Sequence, residues 1–210
     1  MNDSIKRNLI VVDYQYDFAD PKGSLYVPFG SQIWKPITNL LKYGKFDLVV
    51  ATKDMHPADH CSFIENGGTW PSHCVAGTYG QEIVLAQEYD LYIDYVLHKG
   101  RDKCMDSYSA FFDNDKVNNL GLGDLIRPRN GGVGQDERYV YICGLALDYC
   151  VKFTALDAIL FSSNVFIVSD AVRAVEQDDT KLRVICNDLA SKGVQFISSK
   201  DIINPQGKGE

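Results

Sequence analysis

The chain has 210 residues, 45% of them hydrophobic and 23% charged, and a formal net charge of −7. This length and composition suit one soluble α/β domain over residues 1–210 with a sizeable core. The acidic balance argues against a protein that grips nucleic-acid phosphates, and no apolar run is long enough to cross a bilayer.

The N-terminal stretch Met1–Arg7 has no signal-peptide pattern and leads straight into strand-like sequence, so a cytoplasmic protein is expected. The six cysteines are scattered without a CxxC pair. They are expected to be free thiols rather than disulfides, a thioredoxin-like motif or a cysteine-rich zinc site.

Six short apolar runs alternate with helix-like segments. The predicted strands are 8–12, 48–52, 93–97, 139–143, 165–169 and 194–197. They are rich in Val, Ile and Tyr, and several lack polar alternation, as strands buried on both faces do. Predicted helices cover 31–43, 150–161 and 178–192, the last capped by Asp178 or Asp179 and ended by Gly193. Such alternation predicts a three-layer α/β/α fold around a mostly parallel six-stranded sheet. Residues 127–137 read as an exposed loop, and no Gly-Lys-Ser/Thr follows to make it a phosphate cradle.

In parallel sheets ligands bind beyond the carboxyl ends of the strands. Four of the predicted strands lead into reactive side chains there: Asp13, then Asp54 and His56, then Lys99, then Cys150. Singly, each has an ordinary alternative as a turn former, a solvated lysine or a small core residue. Together they place an acid, a base and a thiol around one cleft. Cys150, at a predicted helix start, is expected to form a thiolate more easily than a free cysteine. Asp54-x-His56 puts a carboxylate and an imidazole on one side of an extended segment, and His73 adds a second imidazole. These three suit a divalent transition metal with open positions. Ser62 or Glu65 would complete the shell, and His60, Cys61 and Cys74 are alternative ligands.

Several segments taken together carry a resemblance. They are Val11–Phe18, Asp54-Met55-His56-Pro57-Ala58-Asp59-His60, Trp70-Pro71-Ser72-His73-Cys74, His98-Lys99-Gly100, Asp106–Phe111 and Gly144–Val151. In this order they resemble the nicotinamidases, a branch of the isochorismatase-like cysteine hydrolases, over nearly the whole chain. The Asp-x-His-Pro and Trp-Pro-x-His-Cys elements are the specific ones, because other branches lack this metal set. Met55 departs from the family's usual aromatic residue, and the stretch from Asp54 to His73 is compact.

The resemblance implies a catalytic triad of Asp13, Lys99 and Cys150 and metal ligands Asp54, His56 and His73. The fourth ligand, Glu65 or Ser62, stays open. It further implies a non-proline cis peptide at Leu145–Ala146, with the N–H groups of Ala146 and Cys150 as oxyanion hole. Phe18 and Trp70 would flank a flat ring, with Tyr108 and Leu145 nearby. The implied reaction converts nicotinamide to nicotinate and ammonia through a thioester, in NAD salvage, with side activity on pyrazinamide. One divalent ion per chain is expected, zinc by default and iron or manganese as alternatives, with no organic cofactor. A homo-oligomer without nucleic-acid or membrane partners is expected. Two other readings stand beside this one: a metal-independent amidohydrolase of the same superfamily acting on a carbamoyl or ureido group, and a silent α/β binding protein with a structural metal.

Overall fold

Successive residues of the first strand point to opposite sides, and both sides are buried. Leu9 and Val11 join one apolar cluster, and Ile10 and Val12 join another. The strand is therefore central, and helices must cover both faces. The computed structural model describes residues 5–127 and 137–205. Its strands are β1 (Lys6–Val12), β2 (Leu48–Asp54), β3 (Tyr95–Lys99), β4 (Arg138–Leu145), β5 (Asn164–Arg173) and β6 (Val194–Ile197). They form one sheet in the order β3-β2-β1-β4-β5-β6, and every pairing is parallel.

The helices are α1 (Tyr16–Ala19), α2 (Trp34–Tyr43), α3 (Leu122–Ile126), α4 (Lys152–Ala158), α5 (Asp179–Ser191) and α6 (Ser199–Ile203). Ile37, Leu40 and Leu41 of α2 and Ile202 of α6 pack on the Leu9–Val11 face. Ala155 and Ala158 of α4, Leu189 of α5 and Ile126 of α3 pack on the other. Asp178 caps α5 by accepting from the N–H groups of Thr180 and Lys181. Gly144 has φ 111°, and a Cβ there would run into the Val12 carbonyl, so glycine lets β4 lie close against β1.

The all-parallel six-stranded sheet agrees with the sequence reading, but boundaries moved where the site lies. β3 begins at Tyr95 rather than residue 93. Asp94 ends the preceding turn, where its N–H donates to the Val49 carbonyl and its carboxylate accepts from the Val49 N–H. β2 runs on to Asp54. The predicted helix 31–43 is a 3₁₀ turn at Gly30–Ile33 followed by α2. Of the loop predicted at 127–137, residues 128–136 lie outside the described residues. All six cysteines are free thiols. No helix among the described residues is long and apolar enough to cross a membrane.

Candidate active site

The register of β2 on β3 sets Asp54 beside Lys99, and Asp13 directly follows β1 on the other flank of β2. Lys99, the last residue of β3, is 2% exposed. Its Nζ donates to Asp54 Oδ1 at 2.5 Å and to the Ser107 carbonyl at 2.8 Å. It pairs with Asp13 Oδ2 at 2.8 Å and lies 3.4 Å from Cys150 Sγ. Asp13 sits in the left-handed region at φ 45°, a conformation that aspartate tolerates better than most residues. Its Oδ1 accepts from Thr52 Oγ1 at 2.7 Å. Four segments of the sequence, at Asp13, Asp54, Ser107 and Cys150, thus meet around one ammonium.

The electrostatics follow from burial. Burial pushes Asp13 up to about 6 against the pull of Lys99, with Asp54 adding to the rise. Burial also works against ionised Asp54, yet Lys99 and His56 hold its carboxyl well below the usual range. Lys99 keeps its proton despite burial because Asp13 and Asp54 face it. At neutral pH the cluster is an ammonium between two carboxylates, and the Asp13 one takes up a proton as pH falls through about 6.

Cys150 corrects one expectation. It is not at the first turn of a regular helix. Residues Leu147–Val151 form a kinked turn, with Tyr149 at φ −124°, ψ −105°, and α4 starts only at Lys152. Burial pushes the thiol well above its ordinary value. Lys99 opposes this, while Asp13 and Asp54 add to it. The side chain rests as a thiol, and a carboxylate oxygen of Asp13 lies within 4.8 Å of its sulfur.

The second cluster adjoins the first. Asp54, His56 and His73 are all buried, and one ligand atom from each lies within 4.8 Å of the others. The Nδ1–H of His56 donates to the Gly100 carbonyl at 2.8 Å, and that of His73 to the Pro71 carbonyl at 2.8 Å. A carbonyl can only accept, so each Nε2 is left with a lone pair, as metal-binding imidazoles require. Gly100 makes the His56 contact feasible: φ is 62°, and a Cβ there would collide with the imidazole. Asp54 Oδ2 lies 3.7 Å from His56 Nε2. Burial opposes a charge on His56, but Asp54 draws its proton affinity up. A site that attracts a proton in this way suits a cation. The chemistry of the donor set therefore fits a divalent metal.

The alternative ligands differ in where they lie. Glu65 is exposed, and its carboxylate accepts from Ser72 Oγ at 3.3 Å. Ser62 Oγ is 2.7 Å from His60 Nδ1. His60 stacks on His56 at 4.1 Å and, with His56 and Asp106, forms a second donor group. The Cys74 N–H donates to Asp17 Oδ2, and Cys61 packs against a neighbouring loop.

Between the clusters lies a pocket. Phe18, Trp70, Tyr108, Leu145 and Ala146 line it together with Cys150, Asp54, His56 and His73. Trp70 Nε1 donates to the Tyr108 hydroxyl at 3.0 Å and the indole meets Tyr149 edge-on. The Phe18 ring lies 5.5 Å from His73. The Leu145–Ala146 peptide is cis. The sequence reading did not single out Leu25, Val27, Asp106, Tyr149 and Val175, which also line the pocket. Asp106 and Tyr149 stood inside segments that carried the resemblance. Leu25, Val27 and Val175 are apolar residues with no chemical signature.

The family model described as the isochorismatase domain matches residues 7–201. A nicotinamidase of Escherichia coli is 36% identical over 220 residues, covering 96% of this chain and 99% of that protein. PnC1 from L. infantum, solved in complex with nicotinate, superposes with a TM-score of 0.82 at 35% identity, covering 94% of this chain and 96% of that one. The pyrazinamidase of Pyrococcus horikoshii, solved in complex with zinc, gives a TM-score of 0.76 at 34% identity over 92% of this chain and 99% of that one. The chain belongs to the isochorismatase domain family, and its likeness within that family is to the nicotinamidases.

Proposed function

We propose that this enzyme hydrolyses nicotinamide to nicotinate and ammonia through a thioester on Cys150. The observation that carries the reading is the placement of Lys99 Nζ, 2.8 Å from Asp13 Oδ2 and 3.4 Å from Cys150 Sγ. Asp13 accepts the thiol proton as the sulfur attacks the carboxamide carbon. Lys99 offsets the negative charge shared by carboxylate and sulfur. The N–H groups of Ala146 and Cys150 receive the oxyanion, a role worth roughly 3–4 kcal/mol for a well-placed donor. Asp13 then returns the proton to the amide nitrogen, and the C–N bond breaks to release ammonia. In the second half a water attacks the thioester carbon while Asp13 takes its proton. The C–S bond breaks, and the proton passes to the sulfur.

Phe18 and Trp70 sandwich the pyridine ring, with Tyr108 and Leu145 closing the pocket, which lowers the entropy cost of alignment. When bound, a divalent ion on Asp54, His56 and His73 would supply a Lewis-acid anchor for the ring nitrogen, and zinc is the default with iron and manganese as alternatives. Glu65 and Ser62 are the weaker assignments for a further ligand, given where their side chains lie. We place the reaction in NAD salvage, in the cytoplasm and in a homo-oligomer, with pyrazinamide as a second substrate.

The direct test is ammonia release from nicotinamide with and without chelator. His73→Ala should lose bound metal and raise KM at least tenfold, read by metal analysis beside steady-state kinetics. Unchanged KM after complete metal removal would end the anchoring role. The pH profile is a separate test. Asp13 must be ionised to take a proton, and its folded value is about 6. The rate kcat/KM should therefore fall as pH drops through about 6. Thr52→Val removes a hydrogen bond that favours the carboxylate, so that limb should move to higher pH.

A further inference from the structure

Two thiols outside the catalytic cluster sit on loops that touch. Cys61 follows His60 in the segment after β2, and Cys104 lies in the turn after β3. The Cys61 N–H donates to the Lys103 carbonyl at 2.7 Å, and Lys103 immediately precedes Cys104. Standard peptide geometry then holds the Cα atoms of Cys61 and Cys104 within about 7 Å of each other, with the bent path through the hydrogen bond bringing them closer. Disulfides span Cα separations of about 4.4–6.8 Å. Two further contacts fix the loops in place. Lys103 Nζ pairs with Asp59 at 3.1 Å, and Asp102 Oδ1 accepts from the Cys104 N–H at 2.9 Å. Cys104 is exposed and Cys61 half-buried, so both sulfurs are open to small reagents. Cys104 is also among the charges that, after burial and Asp106, hold the Cys61 thiol up, as nearness requires. The other four cysteines are placed differently: Cys74, Cys143 and Cys150 are buried, and Cys186 lies on α5.

We propose that Cys61 and Cys104 form a reversible disulfide with a low-molecular-weight disulfide as oxidant. The exposed Cys104 thiolate attacks one sulfur of the small disulfide, forming a mixed disulfide and expelling one small thiolate. The Cys61 thiolate then attacks the Cys104 sulfur, closing the protein disulfide and expelling the second small thiolate. The two protein thiols lose two electrons and two protons. The small disulfide gains both electrons, and the protons go to the two leaving thiolates. The bond closes a loop containing β3 and straps the segment carrying His60 to the one carrying Asp106, which lines the pocket.

The test uses the full-length protein in native buffer, titrated with oxidised glutathione and then alkylated. Trypsin should yield a peptide cross-linked between Asp54–Lys99 and Cys104–Lys116, absent from Cys61→Ser and Cys104→Ser and lost on treatment with dithiothreitol. The oxidised wild type should melt several degrees higher than the reduced form, and neither serine variant should show that shift. Cys104→Ser should keep the basal activity in reducing buffer. Only glutathione adducts, with no cross-linked peptide at saturating oxidant, would overturn the proposal. So would a cross-link that persists in either serine variant, or one that leaves the melting temperature unchanged.

Discussion

Cys150→Ala should lower ammonia release from nicotinamide on the order of 10⁴-fold or more, while nicotinamide and metal still bind. The basis is geometric. Among the described residues Cys150 Sγ is the thiol placed on Lys99, and it lines the same pocket as Asp54, His56 and His73. Removing the sulfur deletes the proposed nucleophile without opening the sheet. Calorimetric binding of nicotinamide separates the two roles, because affinity should stay within a few fold of wild type. Cys143→Ala is the matched control. Its thiol is buried within the preceding strand and donates to the Ile10 carbonyl at 3.7 Å. Substantial amidase activity in Cys150→Ala would remove the thioester from the mechanism.

Lys99→Met should be nearly as damaging to catalysis and, unlike Cys150→Ala, should also destabilise the fold. It strips the cation from between two fully buried carboxylates. Breaking such a pair costs about 3–5 kcal/mol, because the remaining charges are left unpaired. Without the ammonium Asp13, already raised, is pushed further up, and Asp54 loses the strongest attraction that holds it down. A raised carboxyl takes a proton readily at low pH and resists ionising as pH rises. The stability gap to wild type should therefore be small near pH 5 and widen toward pH 8. Thermal melts across that range check it. A gap that does not depend on pH would mean that Lys99 acts through packing alone.

The sequence made the parallel sheet readable because strands buried on both faces carry unbroken apolar runs, and it made Asp13, Lys99 and Cys150 visible because each ends or follows such a run. What it left hidden depends on register or on burial. Thr52 supports Asp13 only because β2 lies beside β1 with that hydroxyl at the level of the carboxylate. Ser107 contributes a carbonyl, which no side-chain pattern encodes. The shift of β3 by two residues came from Asp94, whose side chain and N–H both bind Val49 and so end the turn later than apolar composition alone implies. The direction of the Cys150 shift was misjudged because the dipole argument assumes a regular, solvated helix start. The chain supplies a kinked turn under full burial, and desolvation wins there. Glu65 was a candidate by proximity in sequence, but the 3₁₀ turn Ile64–Asn66 leaves it exposed.

The reacting groups and the recognising groups stand on different kinds of backbone. Of the triad, Asp13 and Lys99 follow or end neighbouring parts of the sheet, with Asp54 at the end of the strand between them, and Cys150 sits on the kinked turn just after β4. Trp70, His73 and Tyr108 stand on connecting segments outside the sheet. Under the proposed function, amide cleavage is thus inherited with the scaffold, whereas the choice of ring is written in parts that tolerate replacement. Descendants of this chain could trade one heteroaromatic amide for another through a few loop substitutions and keep the same bond-breaking core.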